Sequence, residues 1–392
     1  MAERARILYL TSVGHPRVRL QARYLATMLE LDYALLDFGK IVITQDLLSC
    51  LIRNLPRIIL ALLRVMIPPI PLRMFIYNVL AASSIIEKYG RKRYDVIFAQ
   101  WLYPAGFVGL LLSKVIGARV VSEIGGYDIQ IVTNTSYGIS HLRHIISKYV
   151  LRKSDKVIAK YRIHAKIAAE LAGVRYQHKI LYLPPAIPDL TNLVDVSALP
   201  RQVWKRLGNT AETKVVLYSP SLKPIYGISE FLKAVPIVLS EVPDCLFVVA
   251  GNGELMDMAT RFARGSGLTG RVIFTGRISH NSMISLYSKS TVVCDLCYAG
   301  QGTTTLEAFC LGKPVIGIAS PKSLVNSKVN GFLVARGDFR RLADDLCMLL
   351  KDEKLRAVMS DNARQAFEKK FRIERRAQRL LEVFSCCKKH RM

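Results

Sequence analysis

Short apolar runs of five to seven residues recur along the chain, and their continuity is that of strands buried on both faces of a parallel sheet. The first is Ala5–Thr11 (ARILYLT), which ends in Ser12-Val13-Gly14-His15-Pro16 and is followed by helical spacing from Arg17 to Leu31. Strands are expected next at Asp95–Trp101, Ala118–Ile124, Asp155–Lys160 and Lys179–Leu183, with a helix over Pro104–Ile116. A stretch rich in proline and polar residues, Leu183 to Pro200, then interrupts the pattern and reads as an interdomain linker. Beyond it the alternation resumes, with strands at Lys214–Tyr218, Cys245–Gly251, Arg271–Thr275, Thr291–Cys297, Pro314–Ala319 and Gly331–Ala335. Strands alternating with helices predict an α/β chain of two doubly wound, Rossmann-like domains, residues 1–190 and 200–372, with a last helix near Ile373–Phe384.

Within the second domain the stretch Ala299–Gly317, AGQGTTTLEAFCLGKPVIG, reads as a glycine turn, a short helix and a strand. Gly300 and Gly302 allow a tight turn and a close backbone approach, and Thr303, Thr304 and Thr305 open the helix. A helix N-terminus is a ready anion site, because its first N–H groups lack intrahelical partners. Glu307 sits one turn further on, where the ribose diol of a nucleotide would lie if a diphosphate capped the helix; an ordinary capped helix of an α/β sheet is the alternative.

LEAFCLGKPVIG resembles the LEAMACGKPVI segment of the glycosyl transferases group 1 family, the retaining, metal-independent GT-B enzymes similar to glycogen synthase. The resemblance runs from the first strand to about Phe371 and is closest at Leu306–Gly317. It implies a GT-B fold, two such domains facing a cleft, with a C-terminal helix, here 373–392, crossing back onto the first domain. It places the nucleotide ribose on Glu307 and the diphosphate on the turn at Gly302 and Thr303–Thr305. Gly251-Asn252-Gly253 and Phe274-Thr275-Gly276-Arg277-Ile278 match family segments, and Gly276, Arg277 and Ile278 become candidates for the nucleotide base. On the first domain it puts Gly14 in a glycine loop between donor and acceptor. Gly125-Gly126-Tyr127-Asp128 takes the place of a His-Gly-x-Asp pattern, so that Gly126 and Asp128 match and the histidine does not; Asp128 could equally cap a helix.

The chain departs from the family elsewhere too. The arginine and lysine that hold the leaving diphosphate fall on Ser221 (or Pro220) and Tyr226, and the first glutamate of the E-x7-E pair is Ala299. Removing one positioned donor from a developing anion costs roughly 2.7–4 kcal/mol of transition-state stabilisation. Lys223 is the nearest replacement cation, with Lys313 and Lys322 as further candidates. A non-catalytic GT-B-like subunit and a GT-B sugar-nucleotide epimerase are the alternatives to a transferase.

Charge adds a partner to this picture. The 392 residues carry 56 Lys+Arg against 30 Asp+Glu, a net +26. Residues 1–196 hold 26 basic and 13 acidic side chains, so the excess is spread over both halves. It is densest at residues 51–94 and 364–392. Leu47–Ile70 is apolar but holds Arg53, Pro56, Arg57, Arg64, Pro68 and Pro69, which excludes a spanning helix of ~20 apolar residues. On a helix Arg57 and Arg64 would lie about 20° apart and Arg53 about 40° from Arg57, a basic stripe beside an aliphatic face. Such a helix reads as membrane-surface, the alternative being a core helix with a solvated arginine edge. Nucleic-acid binding is not expected, since no recognition motif accompanies the charge. The eight cysteines lack regular spacing, Cys294 and Cys297 read as buried thiols, and no signal-peptide pattern opens the sequence. The expectation is a cytoplasmic enzyme, peripheral at the inner face of the membrane, that takes a nucleotide sugar and a lipid-linked or polysaccharide acceptor and needs no metal.

Overall fold

The computed structural model describes residues 5–11, 21–23, 25–36, 49, 52–58, 72–90, 92–125, 141–207 and 213–387. The chain divides into two compact units: residues 1–185 with 373–392, and residues 186–372.

The first unit runs β1 (Arg6–Thr11), β2 (Glu30–Leu35), α1 (Leu72–Tyr89), β3 (Val96–Gln100), α2 (Phe107–Ile116), β4 (Arg119–Ile124), α3 (His141–Lys153), β5 (Lys156–Ala159), α4 (Arg162–Ala172) and β6 (Ile180–Tyr182). Its strands form one parallel sheet in the order β2-β1-β3-β4-β5-β6. The sequence reading extended a helix to Leu31 and had no strand there; Glu30–Leu35 pairs with β1 in register, Arg6 opposite Glu30. As an edge strand it is only partly buried, which is why its ELDYAL sequence carries a muted apolar signal. The central strands, β3 throughout and β4 beyond its first residue, are buried and spelled out their own identity in sequence.

The second unit runs α5 (Arg201–Leu207), β7 (Val215–Tyr218), α6 (Ile228–Glu241), β8 (Leu246–Ala250), α7 (Met256–Gly265), β9 (Val272–Gly276), α8 (His280–Lys289), β10 (Val292–Asp295), α9 (Thr303–Cys310), β11 (Val315–Ile318), β12 (Gly331–Val334), α10 (Phe339–Lys351) and α11 (Glu353–Ala366). Its parallel sheet has the order β12-β11-β10-β7-β8-β9. The direction of winding reverses between β7 and β10, and a crevice outside the carboxyl ends of such a pair is where open α/β sheets bind ligands.

The stretch 183–200 differs from a loose linker. The units part at its start, after Pro185. Leu190 and Leu199 are buried in the second unit, and Ile187 bridges to Arg372. The final helix, α12 (Ile373–Cys386), belongs to the first unit. Ile373, Ala377, Leu380 and Phe384, at helical spacing, form its buried face. Phe384 meets Phe98 edge-on at 5.3 Å, and Phe98 meets Tyr9 at 5.0 Å. Burying side chains of this size contributes roughly 1.5–3 kcal/mol each.

Candidate functional site

In the second unit the chain leaves β10 at Asp295 and reaches α9 through a glycine turn. Gly300 has φ 99°, and a Cβ there would come within 2.4 Å of the Lys322 Cβ, so both the backbone angle and the packing require glycine. Asp295 is buried and ties the turn to the helix, accepting from the Thr305 hydroxyl at 2.8 Å and from the Gly302 N–H at 3.4 Å. Burial pushes the Asp295 carboxyl up, against the pull of those hydrogen bonds. Gln301, also buried, holds the other side: its amide donates to the Ile318 carbonyl at 2.7 Å, and its oxygen accepts from the Leu324 N–H at 2.9 Å. Here a Cβ on Gly302 would meet nothing within 4 Å, so the turn presents an open face at the start of α9.

Thr303 and Thr304 are half-buried on this face, whereas Thr305 is fully buried with its hydroxyl committed to Asp295. Of the three threonines placed at the diphosphate, Thr305 therefore has its hydroxyl committed to holding the turn. Glu307 is 6% exposed, and its Oε1 lies 3.1 Å from Nε2 of His280, the first residue of α8. Ser279 caps α8 by accepting from the Ser282 N–H at 3.1 Å, which fixes where His280 stands. Behind them the Tyr287 hydroxyl meets Ser219 Oγ at 2.9 Å, at the end of β7. Burial raises that phenol well above its ordinary range, so it stays neutral. Gly276 (φ 67°), exposed Arg277 and half-buried Ile278 connect β9 to the same helix.

Asp295, Tyr287, Gln301 and His280 were absent from the sequence reading. A lone carboxylate at the end of an apolar run was the available signal for Asp295; His280 meets Glu307 across 27 residues and left no local trace.

The segment after β7 shows what stands in the family's cationic positions. Ser221 is exposed and Tyr226 half-buried. The backbone of this turn rests on glycines, since a Cβ on Gly253 would sit 2.2 Å from the Leu222 carbonyl oxygen. Lys223 is exposed at the start of a short 3₁₀ turn, Pro224–Tyr226. Lys313 lies past the C-terminal end of α9, near Lys289 and Arg356, the opposite end from Thr303. Cys294 and Cys297 are buried, and burial raises both thiols, Cys297 to about 11. Among the described residues no group of three His, Cys, Asp or Glu side chains is placed to hold a metal.

In the first unit Gly14, His15, Arg17, Gly126 and Asp128 lie outside the described residues. Gly125 is described, and a Cβ on it would lie 2.0 Å from the Trp101 ring, so a histidine has no room there beside that indole. Trp101 itself sits at φ 83° immediately after β3, a costly angle for a bulky residue. Next to it the carboxyl ends of β3 and β4 are closed by a buried network. Gln100 donates to Glu123 at 3.3 Å and Lys160 pairs with it at 2.8 Å. Arg376 of α12 pairs with Glu123 as well and donates to the Leu183 carbonyl at 2.7 Å. Burial pushes Glu123 up, but Lys160 and Arg376 outweigh it and hold the carboxyl below its usual range.

Residues 202–366 match the family model described as Glycosyl transferases group 1. The chain is 22% identical over 308 residues to N-acetyl-alpha-D-glucosaminyl L-malate synthase of Bacillus anthracis, covering 76% of each protein. It is 27% identical over 325 residues to UDP-Gal:alpha-D-GlcNAc-diphosphoundecaprenol alpha-1,3-galactosyltransferase of Escherichia coli, covering 77% of this chain and 78% of that protein. Among solved structures it is similar to Anabaena HepE in complex with UDP, at 18% identity and a TM-score of 0.71, over 97% of this chain and all of that one. The fold is GT-B. The match to the glycosyl transferases group 1 model falls in the second unit, as in a divergent member of that family, and the chain is a nucleotide-sugar-dependent glycosyltransferase.

Proposed function

We propose that the second unit binds the donor nucleotide sugar at the start of α9 and that the sugar passes, with retention of its anomeric configuration and without a metal, to a lipid-linked or other membrane-proximal acceptor. The observation that carries this reading is the pairing of an open helix start with a buried carboxylate one turn away: Gly302 faces open space and Glu307 is 6% exposed. The N–H groups of Thr303–Thr305 suit a diphosphate, and Glu307, steadied by His280, suits a ribose diol. Gly276, Arg277 and Ile278 then border the base, and Lys223 stands at the rim. Asp128, Gly14 and Gly126, outside the described residues, are proposed to serve the sugar or acceptor. UDP in the HepE complex and the diphosphoundecaprenol-linked substrate in the name of the E. coli relative support the two substrate classes.

The membrane part of the proposal draws on helical residues 52–58. Ile52 and Leu55 are exposed beside the exposed Arg53 and Arg57, while Asn54 and Ile58 face the core. Arg53 is partly neutralised by Glu87 at 3.4 Å, and Arg64 lies outside the described residues. Among the described residues no helix is long and apolar enough to cross a membrane. An apolar-plus-basic exposed face fits an enzyme resting on the anionic inner face of a membrane.

A thermal-shift panel of nucleotides and nucleotide sugars tests the donor site. A ligand at 100 times its dissociation constant should add about 2.7 kcal/mol of stability, and no shift with any nucleotide would contradict the assignment. Product analysis with donor alone separates the transferase from an epimerase, which would turn over without acceptor.

A further inference from the structure

The donor site as proposed lacks the family's two cations, and the structure offers another. The loop after β11 folds against the turn that precedes α9. Gln301 pins that loop from the turn side through Ile318 and Leu324. The Lys322 N–H donates to Ser320 Oγ at 3.1 Å, and the Ser320 N–H donates to Ser323 Oγ at 3.0 Å, so the loop is ordered from within. Lys322 packs on Gly300 so closely that a Cβ on the glycine would meet both the Lys322 Cβ, at 2.4 Å, and Ser320 Oγ, at 2.9 Å.

The Lys322 side chain is half-buried, and among the described residues its ammonium has no hydrogen-bond or ion-pair partner. Burial lowers its pKa, against a smaller opposing pull from the nearby Cys297. An ammonium stripped of water without a counterion is unfavourable, and an anion arriving beside it relieves the cost. The other cations of this unit are placed differently. Lys223 and Arg277 are exposed, Arg336 lies 4.3 Å over the Tyr298 ring, and Lys313 is at the far end of α9.

We propose that Lys322, carried on the loop after β11, supplies to the donor diphosphate the positive charge that the family takes from the segment after β7. This rests on the donor-site reading above. In the enzyme the ammonium contacts the leaving diphosphate, so that it strengthens both nucleotide binding and departure of the sugar.

The test is calorimetric titration of the full chain with UDP, GDP, ADP and dTDP, and then with the monophosphate of whichever diphosphate binds most tightly. For Lys322→Gln the diphosphate affinity should fall about tenfold to a hundredfold, as for loss of a charged hydrogen bond, while the monophosphate affinity changes much less. Lys322→Arg should retain most of the diphosphate affinity, and Arg336→Gln, with circular dichroism confirming folding of each variant, should leave it intact. Undiminished diphosphate binding by Lys322→Gln overturns the inference, as does an equal loss for mono- and diphosphate. No binding of any diphosphate by the unaltered protein overturns the donor-site reading itself, a distinguishable failure.

Discussion

The two sheets each end in a buried carboxylate, and they treat it in opposite ways. Glu123, in β4, meets a buried arginine, a lysine and a glutamine; Asp295, at the end of β10, meets no charged partner among the described residues but a threonine hydroxyl and backbone N–H groups. The first carboxyl is held below its usual range by Lys160 and Arg376, and the second is pushed above it by burial. In the first unit the protein has filled the carboxyl end of its sheet with its own charges and uses them to fasten α12 there. In the second unit the carboxylate only shapes a turn, and a helix start beside it faces open space. The lesson is that the same place in two parallel sheets serves as a lock in one and as a candidate ligand site in the other.

The largest effect should come from breaking the lock. Arg376→Ala strands Glu123 with Lys160 alone and uncaps the Leu183 carbonyl, so it should cost about 3–5 kcal/mol of unfolding free energy in denaturant titration. Adding Glu123→Gln should recover part of that loss. If the single variant unfolds like the unaltered protein, the network is not what fastens α12.

Membrane binding comes next. Arg57→Glu with Arg64→Glu removes two basic residues at about 1 kcal/mol each, so co-sedimentation with anionic vesicles at low salt should weaken at least about thirtyfold. The thermal midpoint should barely move, because exposed charges contribute little to folding. Unaltered co-sedimentation would remove this segment from the membrane contact.

Acid sharpens the contrast by sign. A carboxyl whose folded pKa is lowered binds fewer protons folded than unfolded, so Glu123 should add stability as pH rises through the unfolded carboxylate range and lose it as pH falls. Asp295, with a raised folded pKa, stabilises only while protonated and should lose stability as pH rises through that pKa. Each slope is bounded by one proton, about 1.4 kcal/mol per pH unit. Unfolding free energy measured from pH 3 to 8 should therefore lose an upward slope in Glu123→Gln and a downward slope in Asp295→Asn. Like signs for the two variants would refute the comparison.

The smallest effect concerns His280. With 59% of its side chain exposed it does little for folding, but Glu307 loses a partner without it. His280→Ala should weaken nucleotide binding about fivefold to tenfold, as for one hydrogen bond of about 1 kcal/mol, and leave the melting curve in place. A shift in stability without one in affinity would make the contact structural only.

The parts of this picture visible in sequence are those written locally. VIFA, VVLY, LFVVA and VIGI are unbroken apolar runs because both faces of these strands are covered, and LEAFCLGKPVIG carries its helix and strand within twelve residues. Edge strand β2 was lost because a half-solvated ELDYAL resembles the tail of the helix expected before it. The Glu123–Arg376 pair spans 253 residues and the His280–Glu307 contact 27, so neither leaves a spacing to read. Gly125 showed in sequence as a missing histidine; the reason, the Trp101 ring against it, required the fold.

The most direct measurement is hydrogen exchange of backbone amides with and without the tightest-binding nucleoside diphosphate. The amides of Thr303–Thr305, at the start of α9, should gain protection together with the loop around Lys322, while strands β1, β3 and β4 of the first unit exchange as before. Protection confined to the first unit, or none at residues 300–307, would contradict the placement of the donor on the second sheet.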